Sequence, residues 1–171
     1  MSLSVDQPYP SLDDVKEDRK ALRIVSPAYA GRDGELTAIL QYVYQSVLLG
    51  ANGKEREAKL LLDIAVVEMH HLQILGTLIT KLGAPPVFTA CPPYPVSYYS
   101  ASCVNYTRSL ASMISADICA EHDAISEYTR MLCGLKNPAV AAVIERIRED
   151  ERLHLNLLEQ LEKELKCGHG S

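Results

Sequence analysis

Six residues of this 171-residue chain have the types and spacing of a metal-ligand set: Glu35, Glu68, His71, Glu121, Glu151 and His154. Glu68 and His71 form one E-x-x-H pair, and Glu151 and His154 form another. On a helix this spacing puts a carboxylate and an imidazole one turn apart on one face. Such mixed oxygen and nitrogen donors suit iron or manganese. E-x-x-H alone says little, because 13 Glu and 5 His supply roughly 0.4 such pairs by chance. The flanking segments say more. Glu35-Leu36-Thr37-Ala38-Ile39-Leu40-Gln41-Tyr42 and Glu121-His122-Asp123-Ala124-Ile125-Ser126-Glu127-Tyr128 both read E-x-x-A-I-x-x-Y. Each precedes an E-x-x-H-L segment, by 33 residues in the first case and 30 in the second. The chain thus carries two copies of one half-site.

All of these acids fall on apolar helical faces. Glu35 lies with Ala38, Ile39, Tyr42 and Leu49, and Glu68 and His71 lie with Leu61, Ile64, Leu75 and Leu78. Glu121 lies with Ile114, Ile118, Ile125 and Tyr128, and Glu151 and His154 lie with Ile144, Ile147, Leu158 and Leu161. Solvated surface charge explains Glu55, Glu57, Glu159 and Glu162, but not residues on faces that must be buried. Four ionised carboxylates in a dry core are strongly unfavourable without compensation. Two divalent cations neutralise them, so the expected cofactors are two metal ions, iron or manganese.

Other polar residues near the motifs have more than one reading. Tyr42 and Tyr128 lie two turns from Glu35 and Glu121. They are either core tyrosines with satisfied hydroxyls or donors to a ligand carboxylate, with a radical-quenching role as the sharper catalytic option. Asp150 is either a hydrogen-bond partner for a histidine of the facing helix or a surface aspartate. The matching position in the other copy is Val67, so such support is lopsided. Asp63 and Asp117 sit near the motif faces as possible extra ligands. His70 and His122 point about 100° away from their neighbours and read as surface residues.

The elements that position these residues are four helices. The first runs from about Glu35 to Leu49 and the second from about Lys54 to Leu82. The third runs from near Tyr106 to near Gly134. The fourth starts at Asn137-Pro138, an N-cap followed by proline at the first helical position, and ends near Leu165. Short connections make two antiparallel hairpins. The connection over 83–105 is long and rich in Pro and Tyr, and it is expected to cross the full length of a bundle. Tyr94, Tyr98, Tyr99 and Tyr106 are expected to pack it onto the bundle or a partner. Residues 1–33 form an N-terminal extension with a short helix from Ser11 through Val15 to Leu22, broken at Ser26-Pro27. Gly31–Gly34 is a turn, with Asp33 as the expected cap. The bundle spans 34–165, and 166–171 reads as a flexible tail.

Composition excludes several classes. Net charge is -5 and the basic residues are interleaved with acids, which argues against nucleic acid and anionic membrane as partners. No apolar run approaches the ~20 residues of a membrane span, and Met1 to Lys20 lacks a secretory h-region. Five cysteines with no C-x-x-C pair read as reduced thiols, which suits the cytoplasm.

The quoted segments resemble the ferritin-like superfamily of bacterioferritin, rubrerythrin and manganese catalase. Glu35 to Tyr42 and Glu68-Met69-His70-His71 are similar to the first- and second-helix motifs of bacterioferritin. The resemblance spans about Gly34 to Leu165. It implies an all-α, ferritin-like four-helix bundle of two hairpins joined by a long crossover. It also implies Glu35 and Glu121 as single-ion carboxylates, Glu68 and Glu151 as bridges, and His71 and His154 as one ligand per ion. The expected activity is an oxidoreductase reaction with hydrogen peroxide or dioxygen, of peroxidase, catalase or ferroxidase type. Its electron donor is unknown and the expected assembly is a homodimer. The rival expectation is a metal-stapled bundle acting as a structural or coat component. A metal-free helical scaffold is the third.

Overall fold

The structure is a computed structural model and describes residues 3–90 and 97–168, with backbone only at Gly168. Five α-helices account for most of these residues, and no strand occurs among them. They are α1 (Arg19–Ala30), α2 (Glu35–Ala51), α3 (Glu55–Lys81), α4 (Leu110–Gly134) and α5 (Pro138–Gly168), with a 3₁₀ turn at Ala101–Cys103.

Helices α2 and α3 pack as one hairpin, and α4 and α5 pack as the other. The four expected helices are therefore α2 to α5, in the expected order. Asn137 caps α5 as its type and position predict: its Oδ1 accepts from the Ala139 and Val140 amides. Ser109 caps α4 in the same way through the Ser112 amide, so α4 starts three to four residues later than expected. Helix α5 runs past Leu165 to Gly168, and 169–171 lie outside the described residues. Helix α3 is long and apolar enough to cross a membrane. Its buried face, however, carries Glu68 and His71 among Leu61, Ile64, Leu75 and Leu78, which makes it the central helix of a bundle.

The N-terminal region corrects two expectations. Ser11 heads a local turn rather than a helix, with its hydroxyl accepting from the Asp13 amide. The helix begins instead at Arg19, where Asp18 accepts from the Lys20 and Ala21 amides. It also runs through Pro27 to Ala30. A proline there removes one helical hydrogen bond, that to Arg23, which lies on the exposed side. Burial of Val25, Ala28 and Tyr29 outweighs that single loss. Asp33 is exposed and does not cap α2; Gly34 occupies the cap position.

The turn before Glu35 is built on close approach. A Cβ at Gly34 would lie 2.5 Å from Ala28 O and 2.7 Å from Pro27 O, and one at Gly31 would lie 2.4 Å from Pro27 O. Thr37 Oγ1 donates to Arg32 O at 2.7 Å and ties the turn to the helix it starts. Gly34→Ala is therefore expected to destabilise the fold by about 1–3 kcal/mol, the range for overpacking. A lower urea midpoint with unchanged slope is the expected reading, and an unchanged midpoint would contradict it.

The crossover runs back along α2. Thr37 Oγ1 lies 3.2 Å from Tyr99 Oη, Asn105 N donates to Gln41 Oε1 at 3.0 Å, and Tyr44 Oη donates to Tyr106 O at 3.1 Å. Tyr99 thus joins the bundle, Tyr106 sets its ring edge-on against Tyr44 but stays exposed, and Tyr98 is exposed. Tyr94 lies outside the described residues.

Candidate metal centre

Glu35, Glu68, His71, Glu121, Glu151 and His154 all converge in the bundle core, each at most 4% exposed. They form two tetrads that share two members. Glu35, Glu68, His71 and Glu151 offer one set of donor atoms, and Glu68, Glu121, Glu151 and His154 offer the other, with all atoms of a set within 4.8 Å of one another. The shared pair, Glu68 and Glu151, comes from the central positions of α3 and α5. The unshared carboxylates come from α2 and α4.

Each histidine turns Nδ1 toward the carboxylates. His71 Nδ1 is 2.8 Å from Glu68 Oε2, 3.2 Å from Glu151 Oε1 and 3.8 Å from Glu35 Oε1. His154 Nδ1 is 2.9 Å from Glu68 Oε1, 3.3 Å from Glu151 Oε2 and 4.0 Å from Glu121 Oε1. One N–H cannot satisfy three oxygens, and the buried Glu68 Oε1 and Glu151 Oε1 have no hydrogen bond. A cation in each tetrad satisfies all of them at once. Donors about 2.0–2.1 Å from a shared ion at right angles lie about 3 Å apart, which matches the shorter of these separations. The residues therefore fit two ions by geometry as well as by donor chemistry.

The outward nitrogens fix the histidine tautomers. His71 Nε2 donates to Asp150 Oδ2 at 3.2 Å, and Asp150 is fully buried, which decides between its two readings. His154 Nε2 donates to the Leu3 carbonyl at 3.0 Å. With Nε2 protonated, each Nδ1 lone pair is free for a metal.

The two tyrosines cross between hairpins. Tyr42 of α2 donates to Glu121 Oε1 of α4, and Tyr128 of α4 donates to Glu35 Oε1 of α2. Burial, and then the facing carboxylates, push both phenols well above their ordinary pKa, so they remain donors. Burial and the charges of Glu68 and Glu151 likewise push Glu35 and Glu121 well above the usual carboxylate range. Burial opposes ionisation of Glu68 too, but His154 and His71 outweigh it and hold Glu68 low. Both imidazoles would be driven down by burial. Glu151, Glu68 and Asp150 instead raise His71 well above its ordinary value, and Glu68, Glu151 and Glu121 raise His154. Without a cation, these surroundings favour the protonated forms of Glu35, Glu121, His71 and His154.

Asp117 and Asp63 separate cleanly. Asp63 is exposed and pairs with Lys59 at 2.6 Å. Asp117 is fully buried one turn before Glu121, and its Oδ1 accepts from Gln41 and Gln45, each at 2.8 Å. Burial raises its pKa to about 7 against the pull of those amides. It belongs to neither tetrad. His70 and His122 are exposed, as their angular positions predict.

A cleft of about 650 Å³ between α2 and α4 connects the cluster to the surface. Its inner wall includes Glu35, Glu68, Glu121, Glu151, Tyr42 and Tyr128, and its mouth includes Arg32, Asp33, Glu127 and Arg130.

Fold and site together define a ferritin-like protein with paired carboxylate–histidine tetrads. The family described as manganese containing catalase matches residues 15–88, which hold α1 to α3 and the first half-site only. A manganese catalase from Anabaena superposes with a TM-score of 0.81 at 20% identity, over 97% of this chain and 81% of that one. Bacterioferritin from Desulfovibrio desulfuricans, described with a diiron site, gives 0.73 at 25% identity over 86% and 80%. Mycobacterium tuberculosis bacterioferritin gives 0.72 at 21% identity over 88% and 89%. No curated protein matches the sequence.

Proposed function

We propose that the chain holds two manganese or iron ions and uses them to turn over hydrogen peroxide. The observation that carries this reading is the sharing of Glu68 and Glu151 by two buried tetrads at the inner end of a cleft. In this reading Glu35 and His71 would hold one ion, Glu121 and His154 would hold the other, and Glu68 and Glu151 would serve both. When bound, two redox-active ions would supply electron exchange with a small oxidant.

The chain's own residues shape that exchange. The cleft admits a small molecule such as hydrogen peroxide or dioxygen to the carboxylate side of the cluster. The Tyr42 and Tyr128 hydroxyls hold Glu121 and Glu35 from that same side, as positioning residues. Asp150 and the Leu3 carbonyl hold the imidazoles from the opposite side. The match to the manganese catalase family favours peroxide, and the bacterioferritin likeness favours dioxygen with iron as the second reading. Exposed Leu62, Val66 and Met69 on α3 support association with a second copy. The free thiols Cys103, Cys119, Cys133 and Cys167 support a reducing, cytoplasmic setting.

Oxygen evolution by manganese-loaded protein tests the reaction. One O₂ per two peroxides consumed is the expected result. Peroxide loss without oxygen points to a reaction that needs an external electron donor, and Fe(II) oxidation without peroxide turnover points to the dioxygen reading. No turnover with either metal overturns the enzyme reading and leaves the metal-stapled structural role.

A further inference from the structure

The segment Leu3–Tyr9 lies over the histidine side of the cluster, opposite the cleft. Leu3 supplies the carbonyl on His154 Nε2. Three groups then fasten the segment to Asp150: Val5 N donates to its Oδ1 at 2.7 Å, Ser4 Oγ to its Oδ2 at 3.1 Å, and Tyr9 Oη to its Oδ2 at 2.5 Å. Arg146, 6% exposed, clamps the same segment. Its guanidinium donates to Val5 O at 2.8 Å and to Ser4 Oγ and Gln7 O at 3.1 Å, stacks 4.3 Å from the Tyr9 ring centroid, and reaches Asp150 at 2.7 Å.

The repeat makes this arrangement asymmetric. The residue before Glu151 is Asp150, whose carboxylate holds His71. The residue before Glu68 is Val67, which has no acceptor for His154. The gap is filled by a backbone carbonyl from outside the bundle. A carboxylate on a helix stays where the helix puts it, whereas a carbonyl on an extended segment stays only while the segment is fastened. A groove of about 470 Å³ runs between Ser4 and Tyr9 on one side and Val66, Val67 and His70 on the other.

We propose that Leu3–Tyr9 is a latch that makes the two metal positions unequal: it retains the ion on His154, and its loosening releases that ion first. This rests on the reading of the six residues as metal ligands. Outer hydrogen-bond partners of ligand histidines typically change metal affinity about 10–100-fold. The His71 position, backed by Asp150 on α5, depends less on the segment.

The test uses the full chain loaded with Mn(II) and follows release to excess EDTA. Two ions leaving in separate phases is the expected result. Val5→Pro removes the donor to Asp150 Oδ1 and leaves Oδ2, the oxygen that accepts from His71 Nε2. This variant is expected to speed the faster phase about tenfold and to leave the slower within about threefold. Adding Val67→Asp to Val5→Pro places a carboxylate at the repeat-equivalent position and is expected to return the fast phase toward the parent rate. Anomalous diffraction from crystals stopped midway is expected to show lower occupancy beside His154 than beside His71. Equal acceleration of both ions, no acceleration, or no rescue by Val67→Asp overturns the latch alone. A parent chain that takes up neither Mn(II) nor Fe(II) overturns the ligand reading, and the latch with it.

Discussion

Saturating Mn(II) or Fe(II) is expected to raise the unfolding midpoint of metal-free protein by about 15–30 °C, and Glu68→Ala to remove most of that rise. An ion at a thousand times its dissociation constant stabilises the folded state by about 4 kcal/mol, so two contribute about 8, at about 2–4 °C per kcal/mol for a chain of this size. Glu68 belongs to both tetrads, so its loss weakens both positions. Glu35 belongs to one, so Glu35→Ala is expected to keep about half of the rise. The increment, rather than the midpoint itself, is the quantity to compare. Glu68 also neutralises both imidazoles in metal-free protein, so its removal lowers the starting midpoint as well. A metal-free scaffold would show no increment in any variant.

The second large effect is opposite pH dependence with and without metal. Glu35, Glu121, His71 and His154 all have folded pKa values raised above their ordinary ones. Stability from such groups is full below the unfolded pKa and is lost as pH rises through the folded value. Asp117, raised to about 7 by burial, acts in the same direction. Glu68 and Asp150 are held low despite their burial, by His154 and His71 for Glu68, and by His71, Tyr9, the Val5 amide and Arg146 for Asp150. Their contribution is present above the ordinary carboxylate range and is lost as pH falls through the folded values. Metal-free protein is therefore expected to lose stability from about pH 5 upward, and again in strong acid.

Metal reverses the first of these trends. Bound ions would replace protons on Glu35, Glu121 and the two Nδ1 atoms, up to four for two ions, so affinity is expected to rise with pH. The metal-induced increment is then expected to grow steadily between about pH 5 and 8, where the metal-free midpoint falls. Calorimetry in two buffers of different ionisation enthalpy measures the released protons directly. An increment independent of pH would mean that the ions do not displace these protons.

The six-residue cluster was legible in the sequence because its parts sit on periodic faces and occur twice. The periodicity of α2 to α5 told which face is buried, and the repeat told which acids on it belong together. Asp150 was half legible: its offset from Glu151 aims it at the facing helix, but a surface aspartate fits the same sequence position. The tyrosines were legible only in part. Position along α2 links Tyr42 to Glu35, but the hydroxyl reaches Glu121 on α4, because the long side chain spans the gap between hairpins that no spacing within one helix reports.

The Leu3–Tyr9 segment was not legible. It has no period, and its key atoms are the Leu3 carbonyl and the Val5 amide, which every sequence possesses. The one available signal was the empty position at Val67 set against Asp150. Pro27 misled in the other direction. A proline in the last turn of a helix removes a single hydrogen bond, and the apolar face of α1 is strong enough to carry the helix past it.

Anomalous scattering from a crystal of the metal-loaded chain, recorded at the manganese and iron edges, tests the two-ion centre most directly. The expected result is two peaks in the bundle core, one bounded by Glu35, Glu68, His71 and Glu151 and the other by Glu68, Glu121, Glu151 and His154. A single peak, or none in the core of protein prepared with excess metal, would contradict it.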